Sequence, residues 1–277
     1  MPPVVEIRLN DLADVTSAQT FRRASTSRRL LAVWTGTVLL FVYVPVVLIV
    51  IFSFNTSSLN VLWEGFTLRW YAELWQNEPL MTALQNSLVI AFATTAVSCV
   101  LGTIAGWLLY RYRFPAAWLV RGLIFFPMIV PEIIMGVSLL LLFGVMHIAL
   151  GFTTVIIAHV TFCFPFVMIA VGARLEGLDP SLEEAAMDLG ATPVQAFTRV
   201  ILPYLVPSIV AGGLMAFTLS IDEFVVTYFT YSAASVTLPG LNPTVNALST
   251  LLIVATVVLA LAAAAVRRLS SANASLK

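Results

Sequence analysis

The chain has 277 residues, of which 60% are hydrophobic and only 10% charged, and its fourteen basic and fourteen acidic side chains leave a formal net charge of zero. Soluble proteins carry about 25% charged residues, so a mean hydropathy of +0.98 excludes a soluble globule, and no nucleic-acid partner is expected. The uncharged runs exceed the roughly 20 residues that cross a bilayer core and lack the alternation of barrel strands, which leaves an all-α integral membrane protein.

Residues 1–29 carry Arg8, Arg22, Arg23, Arg28 and Arg29 beside Glu6, Asp11 and Asp14. The acids and the missing cleavage pattern argue against a secretory signal, and the segment reads as a flexible N-terminal tail. Leu30–Trp63 is free of charge and supplies a first span at about 30–53, followed by the longest outer loop, 54–83. The uncharged run Pro79–Tyr110 supplies a second span at 84–110, and a third at 122–146 contains Pro127 and Pro131. The run after Glu132 is too long for one crossing and breaks near Gly151, giving a fourth span at 152–173. A polar segment of about 179–203 precedes a fifth span at 203–231. Pro239, Gly240 and Pro243 then separate a sixth, 244–266, from it, and 267–277 form a C-terminal tail. Six spans place both termini on one side. Thirteen of the fourteen basic residues fall on that side and only Arg69 on the other, so the termini and the polar segment are expected in the cytoplasm.

The polar segment is the first candidate for function. Asp179-Pro180 or Ser181 can cap a helix, and Ser181 with Glu184 has capping-box spacing. Leu182, Ala185, Ala186 and Leu189 share one apolar face, Gly190 stops the helix, and Thr192-Pro193 starts a second one with its own stripe of Val194, Phe197 and Ile201. On these residues alone, two readings stand side by side: a connector resting on lipid headgroups, or a docking element for a cytoplasmic partner.

Glu184, Ala185, Ala186, Gly190, Val200, Leu202 and Pro203 reproduce the pattern Glu-Ala-Ala, three residues, Gly, nine residues, an aliphatic, one residue, Leu-Pro. The stretch resembles the EAA loop of ABC-importer permease subunits. The resemblance implies a coupling helix that seats in an ATP-binding subunit, with Glu184 as polar anchor, Ala185 and Ala186 allowing close approach, and Gly190 making the turn. No G-x-x-x-x-G-K-[ST] stretch is present, so ATP and Mg are expected in that partner, and enzyme catalysis by this chain is not.

The second candidate is acid within apolar surroundings. Glu132, Asp222 and Glu223 interrupt otherwise uncharged runs. A charge at the bilayer centre costs about 3 kcal/mol on insertion scales, and such residues usually face a bundle interior or a water-filled path. Counting about 1.5 Å per helical residue places Glu132 near mid-membrane, roughly 16 Å from Arg121, and Asp222 roughly 30 Å from Leu202. Together they suit a route for a cation. Alternatively, Glu132 caps a helix after the Pro127/Pro131 kinks, and Asp222 and Glu223 mark a plain helix end at the outer interface. No basic residue falls at the same depth, so ion pairs within the chain are not expected. His159 and Cys163, four apart, are too few for a metal site and read as packing or a helix–helix hydrogen bond. Cys99 and Cys163 both fall within spans, and no disulfide is expected.

Beyond the loop, SFNTS (53–57), RWY (69–71), NSL (86–88), PEIIMGVSLLLLF (131–143), AHVTFCFPF (158–166), FTLSIDEFVV (217–226) and NPTVNALSTLLI (242–253) resemble the spermidine/putrescine permeases. The resemblance covers about 30–266. It implies a binding-protein-dependent ABC importer permease of six transmembrane helices in a bacterial inner membrane, with a second homologous permease, an ATPase dimer and an extracytoplasmic solute-binding protein as partners. The cargo would be linear polyamines, with Tyr228, Phe229 and Tyr231 available for cation–π contacts or as interfacial belt aromatics. The sequence departs from the family where Pro239 runs directly into Gly240-Leu241-Asn242-Pro243, shortening the loop before the last span. Three alternatives remain: an ABC permease for another small cationic solute, a proton-coupled secondary transporter using the three acids as a relay, and a membrane scaffold without transport.

Overall fold

The computed structural model describes the backbone of residues 9–58, 62–112, 115–179, 181–231 and 243–274, with side chains from Leu30 to Val258 within those ranges. Pro239 and the shortened outer loop therefore lie outside the described residues, as do Pro180 and the extreme termini. The chain divides into two compact units, Met1–Asn77 with Pro239–Lys277, and Glu78–Leu238.

The first unit contains α1 (Leu9–Phe52), α2 (Arg69–Gln76) and α11 (Pro243–Ala274), with α1 and α2 both packed on α11. The helical backbone of α1 begins at Leu9, where the sequence suggested a loose tail; no Gly or Pro interrupts 9–29. Likewise α11 continues through most of 267–277. Between α1 and α2 the chain folds on Asn55. Its side chain donates to the Leu62 carbonyl (2.6 Å) and accepts from the Glu64 N–H (2.9 Å), while its own carbonyl accepts from Trp70 Nε1 (2.6 Å). Ser53 Oγ bonds Tyr71 Oη at 2.8 Å, and Phe54 lies between the rings of Phe66 and Tyr71. The fragments SFNTS and RWY thus form one knot, held by backbone groups that would otherwise be buried unpaired.

The second unit contains α3 (Glu78–Arg111), α4 (Ala117–Ile129), α5 (Glu132–Val145), α6 (Phe152–Leu175), α7 (Ser181–Asp188), α8 (Pro193–Ala196), α9 (Leu202–Asp222) and α10 (Val225–Thr230). Its centre is α3, α6 and α9, packed pairwise. Val167 of α6 is fully buried between two glycines. A Cβ on Gly102 of α3 would lie 2.6 Å from Val167 Cβ, and one on Gly212 of α9 would lie 2.9 Å from Val167 Cα. Lipid tails are as apolar as leucine, so helices associate in a bilayer through such close backbone approach.

The predicted spans at 30–53, 84–110 and 152–173 correspond to long apolar helices, Leu30–Phe52, Glu78–Arg111 and Phe152–Leu175. The sixth corresponds to the apolar part of α11, Pro243–Val258. The third and fifth are corrected. Residues 122–146 are not one rod: α4 and α5 meet at a 109° bend. Val130 and Pro131 are extended there (ψ 132° and 134°), because proline has no N–H to donate and disfavours helix in the residue before it. The fifth span starts earlier and ends earlier. A continuous 30-residue rod runs from Pro193 to Asp222, passing through a π turn at Phe197–Ile201. Pro203 cannot donate to the preceding turn, and the wider register, with Leu202 N–H on the Phe197 carbonyl, absorbs the mismatch. The rod breaks at Glu223 (ψ 92°), after which α10 begins. The break predicted near Gly151 is present: α5 ends in a Schellman arrangement with His147 at φ 54°, its N–H on Gly144 and that of Ile148 on Phe143.

Candidate functional site

The polar segment forms the helix–turn–helix that its residues predict. Asp179, not Ser181, supplies the first cap: its Oδ1 accepts the Ser181 N–H at 2.9 Å, and Ser181 is already the first helical residue of α7. The Ser181–Glu184 capping box is therefore absent. The hydrogen bond to Ser181 lowers the pKa of the exposed Asp179 carboxyl, so it is ionised at neutral pH and complements the positive end of α7. Gly190 at φ 88° ends the helix, with its N–H on the Met187 carbonyl and the Ala191 N–H on that of Ala186. A side chain there would be strained by conformation rather than by space. Thr192 and Gln195 then cap α8 reciprocally.

The expected apolar face of α7 is open. Leu182 is 48% exposed and Leu189 90% exposed, with Ala185 beside them. Glu184 is exposed and has no hydrogen bond or ion pair among the described residues. Leu202 is half-buried and Pro203 exposed at the start of α9. Of the second stripe, Val194 is 70% exposed, whereas Ile201 is buried in the core and Phe197 packs at a tilt on Trp107 of α3, ring centroids 4.6 Å apart. The neighbouring acid, Glu183, was not singled out from sequence; it pairs with Arg111 at the end of α3, Nε to Oε1 3.0 Å.

The three acids that interrupt the apolar runs come together at the two helix breaks. Glu132 is the first residue of α5 after the bend, Asp222 the last of α9, and Glu223 sits in the break itself. Glu132 and Asp222 both act electrostatically on Glu223. The two broken elements pack on each other: Met135 and Val226 belong to one buried cluster with Ala158, and Gly136 lies under Phe229, where a Cβ would meet the ring at 2.7 Å. Glu223 is buried, and its Oε1 accepts the Val226 N–H at 2.8 Å, capping α10. Glu132 and Asp222 are exposed, and Glu132 makes no side-chain cap. Among the described residues none of the three has an ion-pair partner. The 109° bend removes the premise of the depth count from Arg121, which assumed a straight helix; the 21-residue α9 retains it for Asp222.

His159 braces this site. One ring nitrogen, Nδ1, lies 2.8 Å from Ser220 Oγ on α9, and the other, Nε2, lies 2.8 Å from Thr227 Oγ1 on α10. Thr227 already donates to the Glu223 carbonyl at 2.7 Å. It therefore receives from Nε2–H in the neutral ring, and Ser220 donates to Nδ1. Thr154 Oγ1 on the Thr230 carbonyl and Cys163 Sγ on that of Ala216 extend the same ladder along α6. These are the helix–helix hydrogen bonds one sequence reading anticipated for His159; its spacing to Cys163 gave no sign of which helices it would join. Tyr228 is exposed, while Phe229 is spent on Gly136 and Tyr231 on Phe152. A cavity of about 270 Å³ elsewhere in this unit, lined in part by Leu109, Arg121 and Glu176, includes none of the three acids.

A scaffold of apolar α-helices, an open helix–turn–helix and acids at broken helices together define a membrane transport component. The sequence profile of the family "binding-protein-dependent transport system inner membrane component" matches residues 98–273, and the chain belongs to that family. It is 38% identical over 237 residues to the spermidine/putrescine transport system permease protein PotC of Escherichia coli K12, covering 82% of this chain and 90% of that protein. It is 42% identical over 229 residues to the putrescine transport system permease protein PotI of the same organism, covering 77% and 82%. Among solved structures, a bacterial ABC transporter involved in the import of the acidic polysaccharide alginate superposes with a TM-score of 0.66 at 15% identity, over 89% of this chain and 97% of that one. The inward-facing MetNI methionine ABC transporter gives 0.51 at 20% identity, over 66% and 95%. These two establish a shared fold.

Proposed function

We propose that the chain is the permease subunit of an ATP-driven ABC importer that carries polyamines across the inner membrane by alternating access. The observation that carries the cargo is the group of Glu132, Asp222 and Glu223 at two adjoining helix breaks without an ion-pair partner among the described residues. Carboxylates in such surroundings are costly unless a cation shares the site. A linear cation with several charges can meet more than one of them in passing, and the names of the relatives, spermidine/putrescine and putrescine permeases, are consistent with that chemistry.

In this reading α7 seats in an ATP-binding subunit through Glu184, Ala185 and Ala186, with Gly190 setting the turn and Leu202-Pro203 starting the rod that carries the motion inward. ATP and Mg act in that partner, a second related permease completes the path, and an extracytoplasmic binding protein delivers the solute. Both termini lie in the cytoplasm, on the side of the Arg-rich segments. Closure of the motor rocks the rod Pro193–Asp222, whose far end is the acidic break.

The test is uptake of labelled putrescine and spermidine by cells lacking their own polyamine importers and supplied with the partner subunits. Uptake that requires both this chain and an active ATPase supports the reading. Assembly without uptake of either compound rejects the cargo. Uptake by this chain without the ATPase rejects the class in favour of a proton-coupled carrier.

A further inference from the structure

The last two turns of α3 hold the coupling segment on both sides of its turn. Arg111 is the terminal residue of α3 and pairs with Glu183 in the first turn of α7. Each charge also suits its own helix end, a cation at a C-terminus and an anion at an N-terminus. The Glu183 side chain is only 14% exposed and that of Arg111 43%, so the pair is partly sheltered. One turn earlier on α3, Trp107 packs on Phe197, which follows Gly190 in the chain. The contacts at Glu183 and Phe197 therefore bracket the Gly190 turn, and both lead to one helix. That helix is locked to α6 through Gly102 and Gly106, where added Cβ atoms would meet Val167 and Val171 at 2.6 and 3.1 Å.

We propose that Arg111 is a positioning residue for coupling: its ion pair with Glu183 ties α7 to α3, so that displacement of α7 moves the α3–α6–α9 core as well as the rod that follows α7. The inference rests on the reading of α7 as the seat of the ATPase. Without the pair, α7 would still dock, but part of its movement would be lost in the turn at Asp179 and in the turn at Gly190.

The experiment uses the complete transporter, both permeases with ATPase and binding protein, in proteoliposomes, and reads polyamine transported per ATP hydrolysed together with ATPase retained on the permease. Arg111→Gln, which keeps a polar side chain on a shorter stem and loses the charge, should retain the ATPase and lower the ratio about two- to fivefold, the range of a partly screened pair. Arg111→Glu and Glu183→Arg, each facing a like charge, should lower it further, and the double exchange Arg111→Glu/Glu183→Arg should return it to within about twofold of the parent. An unchanged ratio in Arg111→Gln, or a double exchange no better than the single variants, overturns the proposal; a purely structural strut would change the amount of complex and leave the ratio alone. Glu184→Lys is run in parallel. If that variant keeps both ATPase and ratio, the seat itself is misplaced and the reading beneath the proposal fails, an outcome distinct from failure of the Arg111 pair.

Discussion

The α3–α6–α9 core and the α5–α10 pair belong to one unit and meet the bilayer in opposite ways. The core uses unbroken helices, and glycines bring backbone against backbone: Gly102, Gly106 and Gly212 on Val167, Met168 and Val171, and Gly213 on Cys99. Around the pair, helices stop in mid-run, and the exposed polar groups are gathered by side chains, with Glu223 on Val226 N–H and His159 on Ser220 and Thr227. Irregular backbone at membrane depth is tolerated only where protein or a cavity satisfies it. The core is therefore built for rigidity, whereas the pair spends polar groups and charge on a place where the chain bends. Changes in the core should remove the protein; changes at the pair should leave the protein and remove its transport.

The sharpest test of the core is Gly102→Ala. The new Cβ would lie 2.6 Å from Val167 Cβ and 2.9 Å from the backbone of Met168 and Phe164. Backbone cannot give way as a flexible side chain can, and overpacking of this kind costs about 3 kcal/mol. The expected result is loss of monodisperse protein in detergent, or a large drop in melting temperature. Gly172→Ala, with nothing within 4 Å of its Cβ on the same unit, should behave as the parent. Equal loss in both would mean that the close contact at Gly102 does not decide, because helix propensity alone favours alanine over glycine at either site.

At the pair, two variants separate the observed cap made by Glu223 from the charge proposed to meet the cargo. Glu223→Gln keeps an oxygen to accept the Val226 N–H and removes the charge; Glu223→Ala removes both. Two unit charges 4 Å apart interact by about 4 kcal/mol at a surface-like dielectric. Loss of one of three carboxylates should therefore weaken polyamine transport by about tenfold in KM or more. Melting temperature should hold for Gln and fall for Ala, whose lost cap costs about 1 kcal/mol. Transport that follows the cap rather than the charge would make the acid structural, the reading first set beside the functional one.

His159→Leu should have a smaller effect. Interhelical hydrogen bonds in membranes are worth about 0.6 kcal/mol each on average, so losing two should cost about 1 kcal/mol, read as a modest drop in melting temperature. His159→Asn, which offers a donor and an acceptor on a shorter side chain, should recover part of it. A transport defect larger than the stability loss would show that the brace sets the position of the Glu223 break.

Much of this was legible because it is local. The apolar runs gave the helices, Gly190 and Thr192-Pro193 gave the turn in the polar segment, and the acids stood out against uncharged surroundings. What escaped is remote in sequence or depends on shape. Arg111 and Glu183 are separated by 72 positions, and neither has a motif. The importance of Gly102 exists only once Val167 is opposite it. Pro127 and Pro131 look alike in sequence, yet Pro127 stays inside α4 while Pro131 accompanies the 109° bend; the depth count for Glu132 failed because it treated the proline as a kink in one rod. Ser181 has the spacing of a capping box, and Asp179 takes the N–H instead because an aspartate two residues earlier reaches it first.

Asp179 gives the smallest expected effect, and its sign is fixed. Its folded pKa lies below the ordinary value of 3.8 because the carboxylate accepts the Ser181 N–H. A depressed carboxyl contributes stability above its unfolded pKa and loses it only as pH falls through the lower folded value. Across the neutral range the cap is therefore fully ionised, and pH should not modulate the start of α7 through this residue. Asp179→Ala should weaken retention of the ATPase by a small, constant factor at every neutral pH, and Asp179→Asn, which can still accept the N–H, by less. A pH-dependent difference between parent and Asp179→Ala in that range would mean that another titrating group governs the entry to α7. Unlike the acids at the break, Asp179 would then serve only to hold a backbone end.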